Sequence, residues 1–312
     1  MSHLPNSAPV VVSFGGGVDS TALLIEMVRR GERIDRVLFA DTGGEKPETY
    51  EHVEWMSGWL ADEGYPAVET VRYKPVRAPY STLEGNCLAN ETLPSLSFAR
   101  RGCSIKWKHD ALDRYVQGVS RGLNKADALP EWHAAQRAGL KITRVIGYDA
   151  GEVAKGRGRD RRTGTLIRED ERYVYRYPLI EWGWNRARCI EVITAQGLPV
   201  PLKSACFFCP ASKPWELLWL AGKHPDLFLR AIAIEDKARR GKHGIGKVGG
   251  LGGYAGPERM RNWRAWAESE GVLEPGGNQV VADAAELLER AEILSKPTSR
   301  PTQLSLFPEV TP

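Results

Sequence analysis

The apolar residues of this chain change period repeatedly along its length. Residues 10–13, Val-Val-Val-Ser, form a short β-branched run that stops at a glycine cluster, after which Ala22, Leu23, Leu24 and Met27 recur at helical spacing. A buried strand, a tight turn and an amphipathic helix are therefore predicted in immediate succession. Residues 36–40, Arg-Val-Leu-Phe-Ala, predict a second strand, and the helical spacing that follows begins near Pro47, a residue suited to a first helical turn. Residues 67–73 and 142–148 read as a third and a fourth strand. Strands alternating with helices imply a doubly wound α/β fold: a mostly parallel sheet with helices on both faces.

The rest of the chain is less periodic. Residues 74–101 are rich in small and polar side chains and predict a long loop with short helical pieces. Residues 151–170 are glycine-rich and basic and predict a mobile segment that orders on a ligand. From Lys237 the composition shifts again, so the expected organisation is a main domain over 1–235, a basic glycine-rich segment with helices over 236–295 as a small extension, and a Pro/Ser/Thr-rich disordered tail over 296–312. No internal repeat is present.

Composition narrows the class. A chain of 312 residues, 42% hydrophobic, supplies a real core. Its formal charge of +4, from 43 basic and 39 acidic residues, permits a phosphate-bearing partner without demanding one. No stretch approaches the roughly 18 uninterrupted apolar residues of a spanning helix, and the first ten residues lack the pattern of a secretory signal. A cytoplasmic protein without membrane contact is expected. Five cysteines, two of them spaced C-x-x-C at Cys206 and Cys209, suggest metal or redox chemistry in a reducing compartment before a disulfide framework.

The glycine turn carries the first candidate chemistry. Unpaired backbone N–H groups at a helix N-terminus suit phosphate. Gly17 is followed by Val18, Asp19 and Ser20, so the turn fits neither the Gly-Lys-Ser/Thr ending of a Walker A loop nor the spacing of a dinucleotide fingerprint. Taken alone, Asp19 and Ser20 equally suit simple capping of the helix.

Five ordered segments resemble one family. SFGGGVDSTALL, VLFADTGGEKPETYEHVEWM, RGCSIKWKHDAL, IGYDAGEVAKGR and YPLIEWGWNRARCIEVITAQGLPVP, covering residues 10–210, resemble the PP-loop ATPases, adenine nucleotide alpha hydrolase-like proteins, in their phosphoadenosine phosphosulfate (PAPS) reductase-like branch. The resemblance implies an adenine nucleotide, with Mg²⁺, held at the C-terminal ends of the strands. Ser13, Phe14, Gly15, Gly16, Gly17, Val18, Asp19, Ser20 and Thr21 would form the pyrophosphate loop. Within it Ser20 and the backbone amides would grip pyrophosphate, and Asp19 would orient the loop or help hold Mg²⁺. Phe39 and Ala40 would lie near the base, Asp41, Thr42 and Gly43 beside the loop, and Gly147 and Glu152 in the later G-x-x-x-x-E element. Gly15 stands where the family has serine and Val18 where this branch commonly has lysine, so the phosphates must lean on other cations. Lys106, Lys108, Lys155 and Arg157 are the candidates, each equally readable as a surface charge.

The cysteines extend the same resemblance. Cys206 and Cys209 form a C-x-x-C-P knuckle that lets two thiolates face one metal, and Cys103 lies where cluster-bearing relatives place upstream ligands. A [4Fe-4S] cluster held by Cys103, Cys206 and Cys209 is what the resemblance implies; the fourth ligand is open among Cys87, the preferred choice in the irregular loop, Cys189, a non-cysteine ligand or an exogenous one. Zinc or a redox-active dithiol satisfies the same spacing. Cys189 sits in the apolar pattern of a predicted helix and reads as a buried small side chain.

The family's reductases attack the sulfonucleotide with a tail cysteine, and no cysteine follows Cys209 here. The expected reaction is instead cleavage of ATP at the α-phosphate, giving AMP and pyrophosphate while a nucleotide or nucleic-acid acceptor is activated, with sulfur transfer as the favoured outcome. The partners implied are a tRNA or DNA acceptor and a sulfur-donor protein, with a homodimer open. Trp263 and Trp266, with the basic runs 155–162 and 237–247, would suit base stacking and phosphate contact, though tryptophans at that spacing also suit a core. A PAPS or APS reductase using an external thiol, and a nucleotide- or nucleic-acid-binding module without catalysis, are the two other readings.

Overall fold

The computed structural model describes residues 8–98, 100, 102–119, 127–154, 156–160, 162–241 and 262–295. Five strands, β1 (Val10–Phe14), β2 (Arg36–Asp41), β3 (Val68–Arg72), β4 (Ile142–Ile146) and β5 (Tyr173–Arg176), form one sheet in the order β3-β2-β1-β4-β5, every neighbouring pair parallel. Among the described residues the helices α1 (Val18–Arg29), α2 (Pro47–Asp62), α3 (Leu83–Ala89), α4 (Gly102–Ser104), α5 (Asp110–Gln117), α6 (Pro130–Arg137) and α7 (Ala150–Ala154) lie before β5. After it come α8 (Pro178–Glu181), α9 (Arg186–Ala195), α10 (Pro214–Lys223), α11 (Pro225–Arg240), α12 (Trp263–Ser269) and α13 (Ala284–Ser295).

The chain divides into two compact units. The first, Met1–Asp41, Glu45–Val76 and Lys108–Ser204, holds the whole sheet. Side chains alternate across β1, as a strand's period of two requires. Val12 and Phe14 join Ala22, Leu23 and Met27 of α1, Met56 of α2 and Ile193 of α9 in one buried cluster. Val11 joins Leu38, Val71 and Ile142 with Ala111, Leu112 and Val116 of α5 and Ala135 of α6 in another. Two apolar layers on opposite faces of one parallel sheet make the expected doubly wound α/β architecture. The strand β5, Tyr-Val-Tyr-Arg, was not among those the sequence pattern predicts; it pairs with β4 at the sheet edge, from Ile142 against Tyr173 to Val145 against Arg176.

The second unit comprises Thr42–Gly44, Arg77–Trp107 and Ala205–Pro312. Its helices α10 and α13 pack together through Leu217, Leu218, Leu287 and neighbouring side chains, and α11 lies against α3, α10 and α12. The carboxylate of Glu235 on α11 is fully buried and accepts the backbone N–H groups of Trp263 and Arg264, both at 3.0 Å, capping α12 from another helix. Both tryptophans of α12 are core residues, Trp263 without exposure, so of their two readings the structure takes the core and not the stacking surface. No helix of the described residues is long and apolar enough to cross a membrane.

The described residues of the glycine-rich stretch 151–170 belong to the first unit. The stretch begins in α7, and Asp160 Oδ1 accepts the N–H groups of Arg162 and Thr163 in the turn beyond. Lys155, residues 242–247 of the second basic run and the tail from 296 lie outside the described residues.

Candidate functional site

The sheet order has one reversal. From β1 the chain steps outward to β2 and β3, and then returns to the other side of β1 to lay down β4 and β5. Segments leaving β1 and β4 therefore diverge at their carboxyl ends, where open α/β sheets form a ligand crevice. Gly15–Gly17 follow β1, and Gly147–Asp149 follow β4.

These two turns touch. A Cβ on Gly147 would stand 3.1 Å from Ser20 Cα and 3.3 Å from its nitrogen, so only glycine lets the β4 turn close on the start of α1. Gly16 has φ +68°, and a Cβ there would meet Thr49 Cγ2 at 3.2 Å and Phe39 Cε2 at 3.4 Å. The Ser20 hydroxyl holds the loop's shape: it accepts the N–H of Gly15 at 3.2 Å and donates to Gly17 O at 3.1 Å.

Other loop side chains face away from the crevice. Phe14, Val18, Phe39 and Ala40 are buried in the apolar layers, so Phe39 and Ala40 present no side-chain surface to a base. Ser13 Oγ accepts Arg144 Nε at 3.2 Å. Thr21 Oγ1 lies 2.8 Å from His52 Nε2 in the core. Asp41 is buried and binds Arg72 Nε at 2.6 Å and the Tyr50 hydroxyl at 2.8 Å. What the loop offers a ligand is backbone and Asp19.

Two buried hydroxyls flank the loop glycines, Thr49 on the core side of Gly16 and Ser204 beside Gly17. Thr49, 2% exposed, has no hydrogen-bond partner for Oγ1, and neither has the buried Oγ of Ser204, whose Cβ would lie 3.7 Å from a Cβ on Gly17. Unsatisfied buried hydroxyls carry a desolvation cost of about 1–3 kcal/mol each, which a polar ligand seated on the loop relieves. Neither Thr49 nor Ser204 is singled out by its sequence neighbourhood.

Charge in this crevice is mostly acidic. Burial first, and then the charges of Asp149 and Glu152, push the Asp19 carboxyl up to about 6, against the opposing pull of Arg186. Asp149 is itself buried and accepts the N–H of Glu152 at 2.7 Å, capping α7. Arg186 Nη1 stands 3.3 Å from Asp19 Oδ2, and Cys189, one turn along α9, lies beside the same carboxylate. Glu152 pairs with Arg157 at 3.5 Å, and Arg157 also lies over the Tyr148 ring. Hard carboxylate oxygens without full compensation fit Mg²⁺, which takes one or two carboxylates and completes its shell with substrate phosphates.

The remaining expected residues belong elsewhere. Lys108 is paired with the buried Glu45 at 2.9 Å, and the second Glu45 oxygen has no hydrogen-bond partner. In the second unit Lys106 Nζ lies 5.6 Å from the Trp107 ring centroid. Thr42 and Gly43 there form a turn whose Gly43, at φ +72°, leaves no room for a Cβ beside Thr82.

Of the five cysteines, Cys87, Cys103, Cys206 and Cys209 lie in the second unit and Cys189 in the first. None of the five is in a disulfide, and among the described residues no three His, Cys, Asp or Glu side chains gather closely enough to hold a metal. Cys206 Sγ lies 3.0 Å from Thr42 Oγ1, and the Cys209 N–H closes a turn on Cys206 O at 2.9 Å. Cys87 is buried on α3, and burial first, then the charge of the neighbouring Cys103, pushes its thiol up to about 12. Cys189 is buried as expected and lies beside Asp19 in the first unit.

No family model matches the chain, and no curated protein matches it. Among solved structures, the U34-tRNA thiolase NcsA from Methanococcus maripaludis with its [4Fe-4S] cluster is similar at 12% identity, over 87% of this chain and 84% of that one, with a TM-score of 0.33.

Proposed function

We propose that the crevice between the β1 and β4 turns binds the phosphates of an adenine nucleotide together with Mg²⁺, and that the chain cleaves ATP at its α-phosphate. The observation that carries the phosphate site is the contact of Gly147 with Ser20 at the sheet's point of reversal, which leaves a backbone cradle at the N-terminus of α1. The adenine and the position of cleavage rest on the resemblance of the five ordered motifs.

In this reading the N–H groups at the start of α1 receive the phosphate oxygens, and the helix dipole favours their charge. Asp19, with Asp149 or Glu152, would hold the cation, which supplies neutralisation of the departing pyrophosphate. An acceptor oxygen attacks the α-phosphorus, the bond to the bridging oxygen breaks, and pyrophosphate leaves with the electron pair. The adenylated oxygen is then displaced by a sulfur or nitrogen nucleophile and departs with AMP.

The test is incubation of anaerobically purified protein with Mg²⁺ and either ATP or PAPS, resolving AMP and pyrophosphate from adenosine bisphosphate and sulfite. AMP and pyrophosphate from the wild type, lost in a folded Asp19→Ala variant, is the expected result. Sulfite from PAPS, or activity unaffected by Asp19→Ala, overturns it.

A further inference from the structure

A phosphate site needs positive charge, and this loop has none of its own. Between Ser13 and Thr21 the single ionisable side chain is Asp19, and its neighbours Asp149 and Glu152 add negative charge. A polyphosphate entering this crevice meets three carboxylates before it meets a cation, unless one is delivered from another element.

The geometry points to Arg186 as that cation: we infer that its guanidinium, paired with Asp19 when no nucleotide is bound, turns to the nucleotide's phosphate oxygens when Mg²⁺ and nucleotide occupy the crevice. This rests on the nucleotide reading above and names the residue that meets the phosphates.

Three observations support the exchange. First, the pair is loose. Nη1 lies 3.3 and 3.5 Å from the two Asp19 oxygens, against the 2.7–2.9 Å typical of a tight charge-assisted bond, and the arginine side chain is 41% exposed. Second, Arg186 is held in place without needing Asp19. It is the first residue of α9, a helix capped by Asn185 Oδ1 on the Arg188 N–H at 2.9 Å and anchored by the buried Cys189, Val192 and Ile193. Third, two lysines of this unit are engaged more tightly, and Arg157, whose pair is as loose at 3.5 Å, is partnered by Glu152 and not by Asp19. Lys108 is held by Glu45 at 2.9 Å, and Lys46 donates to Lys203 O at 3.0 Å. The unpartnered Ser204 hydroxyl beside Gly17 is an independent sign that this side of the loop receives a polar ligand.

The exchange conserves charge pairing. As Mg²⁺ takes over the Asp19 carboxylate, the guanidinium loses its partner, and the phosphates that arrive with the cation supply a new one with the planar, two-oxygen geometry that arginine fits. A lysine at this position would deliver charge without that geometry.

The full-length protein is titrated calorimetrically with Mg-ATP, magnesium pyrophosphate and adenosine, comparing wild type, Arg186→Ala and Arg186→Lys, each checked for an unchanged melting transition. Arg186→Ala is expected to weaken ATP and pyrophosphate at least tenfold with adenosine unchanged, and Arg186→Lys to fall between. The same titration with metal-free ATP in an Asp19→Asn background separates contact from mere neutralisation of Asp19: the loss on Arg186→Ala persists if the guanidinium touches phosphate. Wild-type ATP affinity in Arg186→Ala, equal loss of adenosine affinity, or disappearance of the effect with Asp19→Asn each overturn the inference while leaving the nucleotide reading intact. A wild type that binds neither ATP nor pyrophosphate overturns both.

Discussion

The Thr21 hydroxyl and His52 Nε2 lie 2.8 Å apart in the buried layer between α1 and α2, so a residue of the loop-bearing helix is tied to a neutral imidazole. Burial alone holds the His52 pKa down at about 4. The unfolded chain takes up a proton near pH 6.5, well before the folded one. Stability from this site is therefore complete above about pH 6.5 and is lost as the pH falls towards 4, to the extent of about 3 kcal/mol. Urea unfolding at pH 7 and pH 4 should show the wild type losing that much more stability than His52→Gln; equal losses refute the assignment.

Gly43 and Thr82 set a second expectation, in the other unit. A Cβ at Gly43 would lie 2.3 Å from Thr82 Cγ2, and φ at Gly43 is +72°. Thr82 in turn caps α3, accepting the Gly85 N–H at 3.0 Å. Gly43→Ala should cost at least about 2 kcal/mol through strain and overlap. Adding Thr82→Ser, which removes the methyl and keeps the cap, should return part of it in chemical denaturation. No recovery in the double variant would mean that the backbone strain, not the overlap, dominates.

Glu235 satisfies two backbone N–H groups of α12 from within the core. Glu235→Ala strands both donors and should destabilise the protein by about 3 kcal/mol, whereas Glu235→Gln, still an acceptor, should cost less. Thermal melts of the two variants rank them directly.

The thiols can be sorted by reactivity. Cys87 and Cys189 are fully buried, and Cys206 and Cys209 half-buried. With its thiol at about 12, Cys87 should resist iodoacetamide at pH 8 in the native protein and react only in denaturant. Mass spectrometry of alkylated peptides reads this. Native labelling of Cys87 as fast as Cys206, or stoichiometric iron or zinc that a Cys87→Ala change removes, would show a thiol arrangement different from the one described.

The parts legible from sequence were those whose cause is local. Val10–Phe14 and the helix after Gly17 announce themselves by a β-branched run, a glycine turn and a 3.6-residue period. The strand Tyr173–Arg176 did not, because four residues ending in a charge, with a single fully buried side chain, carry too little periodicity. The same distinction governs the crevice. Asp19 is marked by its motif, but its neighbours Asp149, Arg186 and Cys189 reach it from α7 and α9, and only the sheet order brings those elements beside α1. The cysteine knuckle shows the converse, a spacing conspicuous in the sequence that closes as a local turn, Cys209 N–H on Cys206 O.

The position of β1 also governs the order of assembly. Its register against β4 runs from Val10 with Thr143 to Ser13 with Ile146, a pairing between the start of the chain and a strand made much later. Such a contact closes a long loop before it returns any stabilisation, which slows folding. Gly147 reaches Ser20 only once that pairing exists, so the β1 turn acquires its opposing wall in a late, cooperative step. A chain released before β4 is synthesised would carry the glycine motif intact and have no crevice in which to use it.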